Sequence, residues 1–348
     1  MNEQMLSLID KIYTNQSLSL SEYACLIENR DEEMSLYLAQ CARKVREKVY
    51  GKDIFIRGLI EISNYCKNDC FYCGIRRSNK ACERYRLTKD EILSCCEEGY
   101  GLGFRTFVLQ GGEDRFYRDE VLCELIGQIK GRYPDCAVTL SLGERGKESF
   151  RRLYDAGADR YLLRHETADE EHYASLHPAE LSWINRMQCL KDLKEIGYQT
   201  GCGFMVGSPG QTTETIAKDL KGIEEFKPAM CGIGPFIPHH VTRYANENAG
   251  SVELTCFLLS IIRLIQPGIL LPATTALATL DAKGTEKGIL SGANVVMPNL
   301  SPLSAKQKYE LYNRKSYGGS EAAQNLEGLK ERMAAIGYRI VTDRGDVR

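Results

Sequence analysis

Apolar and polar positions along the chain alternate between two periods. Runs with the two-residue period of a strand, or continuously apolar, fall at 54–63, 106–112, 137–143, 160–166, 199–207, 230–238, 268–275 and 293–299. Between them, apolar residues three and four apart mark helices at 89–100, 120–133, 147–156, 184–196, 212–226, 252–266 and 283–290. Gly157 and Gly197 follow two of these helices as stop signals. A strand–helix unit repeated about eight times predicts a parallel sheet with crossover helices. Eight units close into an α/β (β/α)8 TIM barrel, with a doubly wound open sheet as the alternative. Residues 304–312 read as the eighth helix. Residues 1–50 read as an N-terminal helical cap: Ser19 and Glu22 have capping-box spacing, and 31–49 is a long amphipathic stretch. The predicted organisation is this cap, a barrel over 51–312, and a segment 313–348 packed on the barrel. That segment holds one helix from Asn325 and a short extended piece.

One parity of several strands is polar. The first run places Arg57, Glu61 and Ser63 on one face, the second Gln110 and Gly112, the third Thr139 and Ser141, the fourth Arg160, Arg164 and Glu166. Pointed inward, these groups give the barrel a charged lumen in which each must be paired or bound to a ligand. Pointed outward, they would be ion pairs against helices. The polar residues gather at strand C-terminal ends, where such barrels carry active sites, and this favours the lumen.

Composition narrows the class. Of 348 residues, 43% are hydrophobic and 26% charged, enough apolar residue for a large core. A formal net charge of -2 gives no reason to expect nucleic acid or an anionic membrane as partner. No apolar run approaches the ~18 residues of a membrane span, and the start lacks a signal-peptide core. The chain reads as soluble and cytoplasmic.

Among 14 cysteines, most sit in apolar-periodic segments and read as small buried hydrophobes. Cys66, Cys70 and Cys73 instead form a C-x3-C-x2-C group in a polar stretch directly after the first strand run. Thiolates suit Fe–S clusters or zinc. A closed zinc site wants a fourth Cys or a His nearby, and the first His in the chain is His165. Ferredoxin-type clusters also use four protein ligands. Three cysteines leave one iron of a cubane open to chelate a small molecule. Zinc with a distant fourth ligand and a plain electron-transfer cluster stay open at this point.

The loop resembles the signature of the radical S-adenosylmethionine (SAM) superfamily, with Tyr72 as the aromatic before the last cysteine. Gly111-Gly112-Glu113 resembles that superfamily's Gly-Gly-Glu motif at the end of the second strand. Stretches at 139–144, 160–167, 205–212, 232–239, 272–275 and 296–299 are similar to the HydE family of FeFe-hydrogenase maturases, and less so to biotin synthase and methylornithine synthase of the same branch. The resemblance implies a radical SAM barrel holding one 4Fe–4S cluster on Cys66, Cys70 and Cys73, with SAM on the open iron. It implies reductive cleavage of SAM to a 5′-deoxyadenosyl radical. Carried over by position, Tyr72, Gly111, Gly112, Glu113, Ser141, Glu166, Arg186 and Met205 would contact SAM. Glu166 would take the ribose, Arg186 the carboxylate and Met205 the adenine. Thr139, Arg160, Arg164, Thr274, Thr275 and Tyr309 would line a substrate cavity. The implied substrate is a cysteine-bound iron carbonyl–cyanide species of hydrogenase assembly. The implied partners are the maturases HydG and HydF and a reductant such as ferredoxin or flavodoxin.

Each position has a plainer reading. Arg160 and Arg164 could pair with Glu144 or Glu166 as structural ion pairs. Thr274 and Thr275 could be ordinary strand residues, and Met205 plain core. His239 and His240 are expected to make loop hydrogen bonds. No Cys follows Cys256, so the accessory C-terminal cluster of some relatives is not expected, and one cluster is. A radical SAM mutase such as methylornithine synthase, or a non-catalytic Fe–S or zinc carrier, are the competing functions.

Overall fold

The computed structural model describes residues 3–313 and 323–348. Residues 316–321, where the resemblance would put the accessory-cluster cysteines of some relatives, lie outside them. Three helices open the chain: α1 (Glu3–Asn15), α2 (Leu20–Glu28) and α3 (Glu32–Tyr50). The capping box of Ser19 and Glu22 is formed at α2. Asp31 caps α3 by accepting from Met34 N–H. α3 packs along helix Val252–Ile265, and α2 packs on helix Thr213–Phe226. The cap shares one continuous hydrophobic core with the barrel.

The strands are β1 (Asp53–Ile56), β2 (Gly58–Ser63), β3 (Thr106–Gly111), β4 (Ala137–Ser141), β5 (Arg160–Leu162), β6 (Gln199–Cys202), β7 (Met205–Val206), β8 (Met230–Cys231), β9 (Gly234–Pro235), β10 (Val295–Val296) and β11 (Arg339–Val341). A parallel sheet runs β2-β3-β4-β5-β6-β8, and a second runs β10-β1-β11. Single parallel bridges carry the ring onward, Met230 to Leu270 and Pro272 to Val295, and Leu59 to Asn299 closes it beside the β1–β10 pairing. The result is a (β/α)8-type barrel, and the open-sheet alternative is excluded by this closure.

Several predicted runs prove shorter, for identifiable reasons. Run 54–63 divides at Arg57, because β1 pairs with β10 and β11 whereas β2 pairs with β3. Run 160–166 stops at Leu162, since Glu166 turns the chain with φ 65°. Run 268–275 contributes only bridging residues, and Thr275 begins helix Thr275–Leu280. The expected helix 304–312 is limited to Leu303–Lys306. Beyond it, backbone carbonyls are drawn into tertiary bonds: Lys308 O accepts from Asn64 Nδ2 at 2.7 Å and Leu311 O from Gly74 N–H at 2.9 Å. Residues 308–313 therefore cross the barrel mouth as a strap.

The C-terminal tail closes the opposite end. β11 pairs with β1, Thr106 Oγ1 donates to Arg344 O at 2.7 Å, and Val347 N–H donates to Gln199 Oε1 at 3.2 Å.

Candidate active site

The cysteine loop, 64–75, leaves the C-terminal end of β2 and is fastened from several sides. Asn64 donates to Glu83 O at 2.8 Å and accepts from Tyr85 N–H at 2.8 Å. Arg84 donates to Ile75 O at 2.7 Å and Arg76 O at 2.6 Å. His239 is buried and packs on Gly74, where an added Cβ would lie 2.4 Å from its Cδ2. Its Nδ1 accepts from Val241 N–H, and His240 Nδ1 meets Asn313 Oδ1 at 2.7 Å. Both histidines thus make loop hydrogen bonds.

Cys66, Cys70 and Cys73 are free, partly buried thiols lining one cavity of about 350 Å³. Burial pushes all three thiols up, Cys73 to about 12 with Cys66 adding to it. A cationic metal centre is what would hold such buried sulfurs as thiolates. Among the described residues no three His, Cys, Asp or Glu side chains surround a single point. The three sulfurs border one shared cavity.

The end of β3 presses against this loop. Gly112 N–H donates to Ser63 O at 3.1 Å. A Cβ on Gly112 would stand 2.3 Å from Tyr65 O and 2.7 Å from Cys66 Cβ, so only glycine lets the two segments touch. Glu113 N–H points at Cys66 Sγ, 3.4 Å away. The Glu113 carboxylate meets Lys67 at 3.0 Å and accepts from Glu144 N–H at 2.9 Å. It fills the place a side chain on Gly143 would need.

Across the cavity, Glu166 adopts the left-handed region that few non-glycine residues visit. Its N–H donates to Gly203 O at 3.0 Å. Behind it, buried His165 meets Asp219 at 3.2 Å. The strained turn aims the Glu166 side chain inward, where Oε2 is buried without a hydrogen-bond partner. Such an orphan acceptor suits a donor from a bound ligand. Arg186, from helix Trp183–Ile196, is buried with Nε 2.5 Å from Glu144 and Nη1 donating to Arg164 O at 2.6 Å. Tyr72 stands edge-on to His177, with its hydroxyl 3.3 Å from Nε2.

Deeper in the lumen lie Arg164, Thr139, Thr274, Thr275 and Tyr309, with Glu61 and Met230. Thr139 Oγ1 is buried without a partner, Thr274 Oγ1 donates to Ile233 O at 3.2 Å, and Gln110 reaches the Tyr309 hydroxyl at 3.5 Å. Ser141, Met205, Gly111 and Gly112 complete the wall. Every predicted site residue but one lines this cavity.

The exception is Arg160. It shares the inward face but sits two residues before Leu162, about 6–7 Å lower along the strand. There it is fully buried, 2.6 Å from Asp346 of the tail, and donates to Thr106 Oγ1 at 2.9 Å and Arg344 O at 2.8 Å. It is a structural ion pair at the barrel foot, with Asp346 rather than Glu144 or Glu166 as partner. The cavity floor is taken instead by Arg57, which the sequence placed in the lumen but not in the site. Its Nη1 contacts Met230 Sδ, while Nε and Nη2 are buried with no hydrogen-bond partner. Burial, and then Arg160, depress its pKa well below the ordinary guanidinium value. The inward parity of Arg57 beside a polar lumen was the signal for it; its depth could not be read.

A family model of the Radical SAM superfamily matches residues 60–222, from β2 through the cysteine loop to helix Thr213–Phe226. The chain belongs to the radical SAM superfamily, and its barrel and three-cysteine loop are those of an enzyme of that class. It is 45% identical over 275 residues to the [FeFe] hydrogenase maturase subunit HydE of Thermotoga maritima, covering 79% of this chain and 78% of that protein. It is 31% identical over 308 residues to the 3-methylornithine synthase of Methanosarcina acetivorans, covering 86% of each. The crystal structure of methylornithine synthase (PylB) matches with TM-score 0.84 at 26% identity, over 96% of this chain and 97% of that one.

Proposed function

We propose that this radical SAM enzyme is a HydE-like maturase. It would cleave SAM to a 5′-deoxyadenosyl radical and act on a cysteine-bound iron carbonyl–cyanide precursor during FeFe-hydrogenase assembly. The site fits the cofactors the superfamily uses: three partly buried thiols on one cavity, a glycine contact no side chain could occupy, and an orphan acceptor on Glu166. When bound, a 4Fe–4S cluster with one open iron supplies the electron that breaks a sulfonium C–S bond of SAM.

The chain's own residues would do the rest. Cys66, Cys70 and Cys73 hold the cluster. Glu166 accepts from the ribose hydroxyls, Arg186 faces the SAM carboxylate, and Ser141 and Met205 border the nucleoside. The Gly111-Gly112-Glu113 turn carries the amino end, and Tyr72, braced by His177, covers the cluster. Leu59, Val108, Leu162 and Met297 give the lumen apolar patches that keep water out.

The observation that carries the choice of substrate is the lumen floor. Arg57 offers two buried, uncommitted nitrogens, and Arg164 with the hydroxyls of Thr139, Thr274, Thr275 and Tyr309 surrounds the same space. Desolvated cations and donors of this kind favour an anionic, acceptor-rich substrate. The second reading, a mutase of the methylornithine synthase kind, is favoured by the 31% relative and by buried Glu61 as a contact for an amine.

No helix among the described residues is long and apolar enough to cross a membrane. A cytoplasmic setting with HydG, HydF and a reductant such as ferredoxin or flavodoxin goes with the maturase reading. Anaerobic turnover assays with the cysteine–iron complex and with lysine decide between the two. Consumption of the complex is expected; turnover of lysine with none of the complex would overturn the maturase assignment. Metal analysis showing one zinc per chain and no iron would overturn both readings.

A further inference from the structure

The cysteine loop turns a second face to solvent. Tyr65, directly before Cys66, is 37% exposed, and Phe116 is 51% exposed. Arg86 lies between them, its guanidinium carbon 3.8 Å from the Tyr65 ring centroid and 5.1 Å from that of Phe116. Its fork ends on the buried Asp114 carboxylate at 2.7 and 3.0 Å, which Ser63 also grips at 2.7 Å. Two aromatic rings are thus held in the open on a braced base.

Beside them runs an open groove of about 480 Å³ bordered by Lys67, Arg115, Arg118 and Arg145. The acids along it are committed. Glu113 pairs with Lys67, Asp114 with Arg86, Asp119 with Arg145 and Arg152, Glu120 with Arg152, and Glu144 with Arg186. Arg115 and Arg118 are exposed and form no ion pair within 4.0 Å among the described residues; Glu120 is felt by Arg118 only at longer range. From 67 to 86 the chain carries Lys67, Arg76, Arg77, Lys80, Arg84 and Arg86 against Asp69 and Glu83, in a protein of net charge -2. That stretch has six cations against two acids, a local surplus of four; within it Arg77 pairs with Glu180, and Arg84 and Arg76 donate to backbone carbonyls.

We propose that this face, centred on Tyr65, Arg86 and Phe116 and flanked by Arg115 and Arg118, docks a small acidic protein carrying a one-electron redox centre. Exposed aromatics and arginine are the residues that anchor protein interfaces. Surplus cations steer an acidic partner and speed encounter. The face is one residue from a cysteine that would ligate the cluster, so a protein seated on it is placed to donate. The transfer is simple: the donor's centre loses one electron, the cluster gains it, and no bond or proton moves. The inference rests on the radical SAM reading above.

The test uses cluster-reconstituted protein with purified flavodoxin as the probe. Two things are measured: flavodoxin affinity at low and high salt, and methionine release from SAM driven by reduced flavodoxin or by dithionite. Arg115→Glu/Arg118→Glu is expected to weaken flavodoxin binding by about tenfold or more. Phe116→Ala should weaken it by about fivefold. Flavodoxin-driven cleavage should fall in step while dithionite-driven cleavage holds. Unchanged affinity in both variants overturns the assignment. So does an equal loss with dithionite, or a shift in oligomeric mass with unaltered affinity, which would make the face a contact between copies of this chain. Absence of dithionite-driven cleavage in the unaltered protein would sink the radical SAM activity itself, and the affinity measurement would still decide the docking face.

Discussion

Replacing Gly112 with alanine adds one methyl group where the cluster loop leaves no room for it. The new Cβ would sit 2.3 Å from Tyr65 O, 2.7 Å from Cys66 Cβ and 3.0 Å from Tyr65 C. These are backbone or near-backbone atoms of the loop that presents the first cysteine, so no side chain can swing aside. Restoring an ordinary 3.4 Å contact at the carbonyl requires a retreat of 1.1 Å, the difference between 3.4 and 2.3 Å. Overpacking of this kind costs about 1–3 kcal/mol, and a reacting group misplaced by ~1 Å loses roughly 10²-fold in rate. Gly112→Ala should therefore lower the melting temperature by a few degrees, reconstitute with less iron than the parent, and cleave SAM about 10²-fold more slowly. Gly127→Ala is the control: it lies within helix Asp119–Arg132 with nothing within 4 Å of its Cβ, and should be neutral or stabilising by about 0.5–1 kcal/mol. Iron content, paramagnetic resonance of the reduced cluster and thermal melts read these effects. A Gly112→Ala protein with full iron and unchanged melting would refute the packing argument.

Glu166→Ala keeps an ordinary L-residue at φ 65° and so isolates the carboxylate. Titration calorimetry should show SAM binding weaker by about 10- to 100-fold, the range of hydrogen bonds to a charged group, and unchanged affinity would remove Glu166 from the ribose. Arg57→Met removes a buried cation with two unsatisfied nitrogens while keeping most of its volume. Such replacements are commonly neutral or stabilising, so the melt should rise as substrate turnover is lost, and a lower melt or retained turnover would contradict the floor assignment. His177 is buried, and its pKa is lowered to about 3 by burial, with the Tyr173 carbonyl opposing. The unfolded chain takes up this proton near pH 6.5, the folded one only near 3. Folding stability then falls as pH drops through that window, by at most ~1.4 kcal/mol per pH unit from this group. His177→Gln keeps an acceptor for Tyr72 and should lose that component; parallel pH profiles of the two proteins would refute it.

The cysteine loop was legible because its chemistry is local: three thiols within eight positions, directly after a strand. The inward parity of β2 to β5 was legible because alternation on a strand is geometric. The eighth helix was not. Its apolar spacing is helical, yet Asn64 and Gly74 claim the carbonyls of Lys308 and Leu311. Nor did any residue signal that Glu166 would sit at φ 65°; the turn is held by Gly203 and the His165–Asp219 pair from other elements.

Arginines 57, 160 and 164 show where the sequence ends and the fold begins. By alternation all three belong on the inner face of their strands, and that much is written in the chain. Their heights in the barrel follow from strand register and closure. Their partners come from far away: Asp346 lies 186 positions after Arg160. The tail neutralises Arg160 at the foot, leaves Arg57 uncommitted on the floor, and leaves Arg164 in the cavity wall. One residue type with one local pattern has acquired three environments. A buried charge is defined by what long-range packing brings beside it, and periodicity carries no record of that.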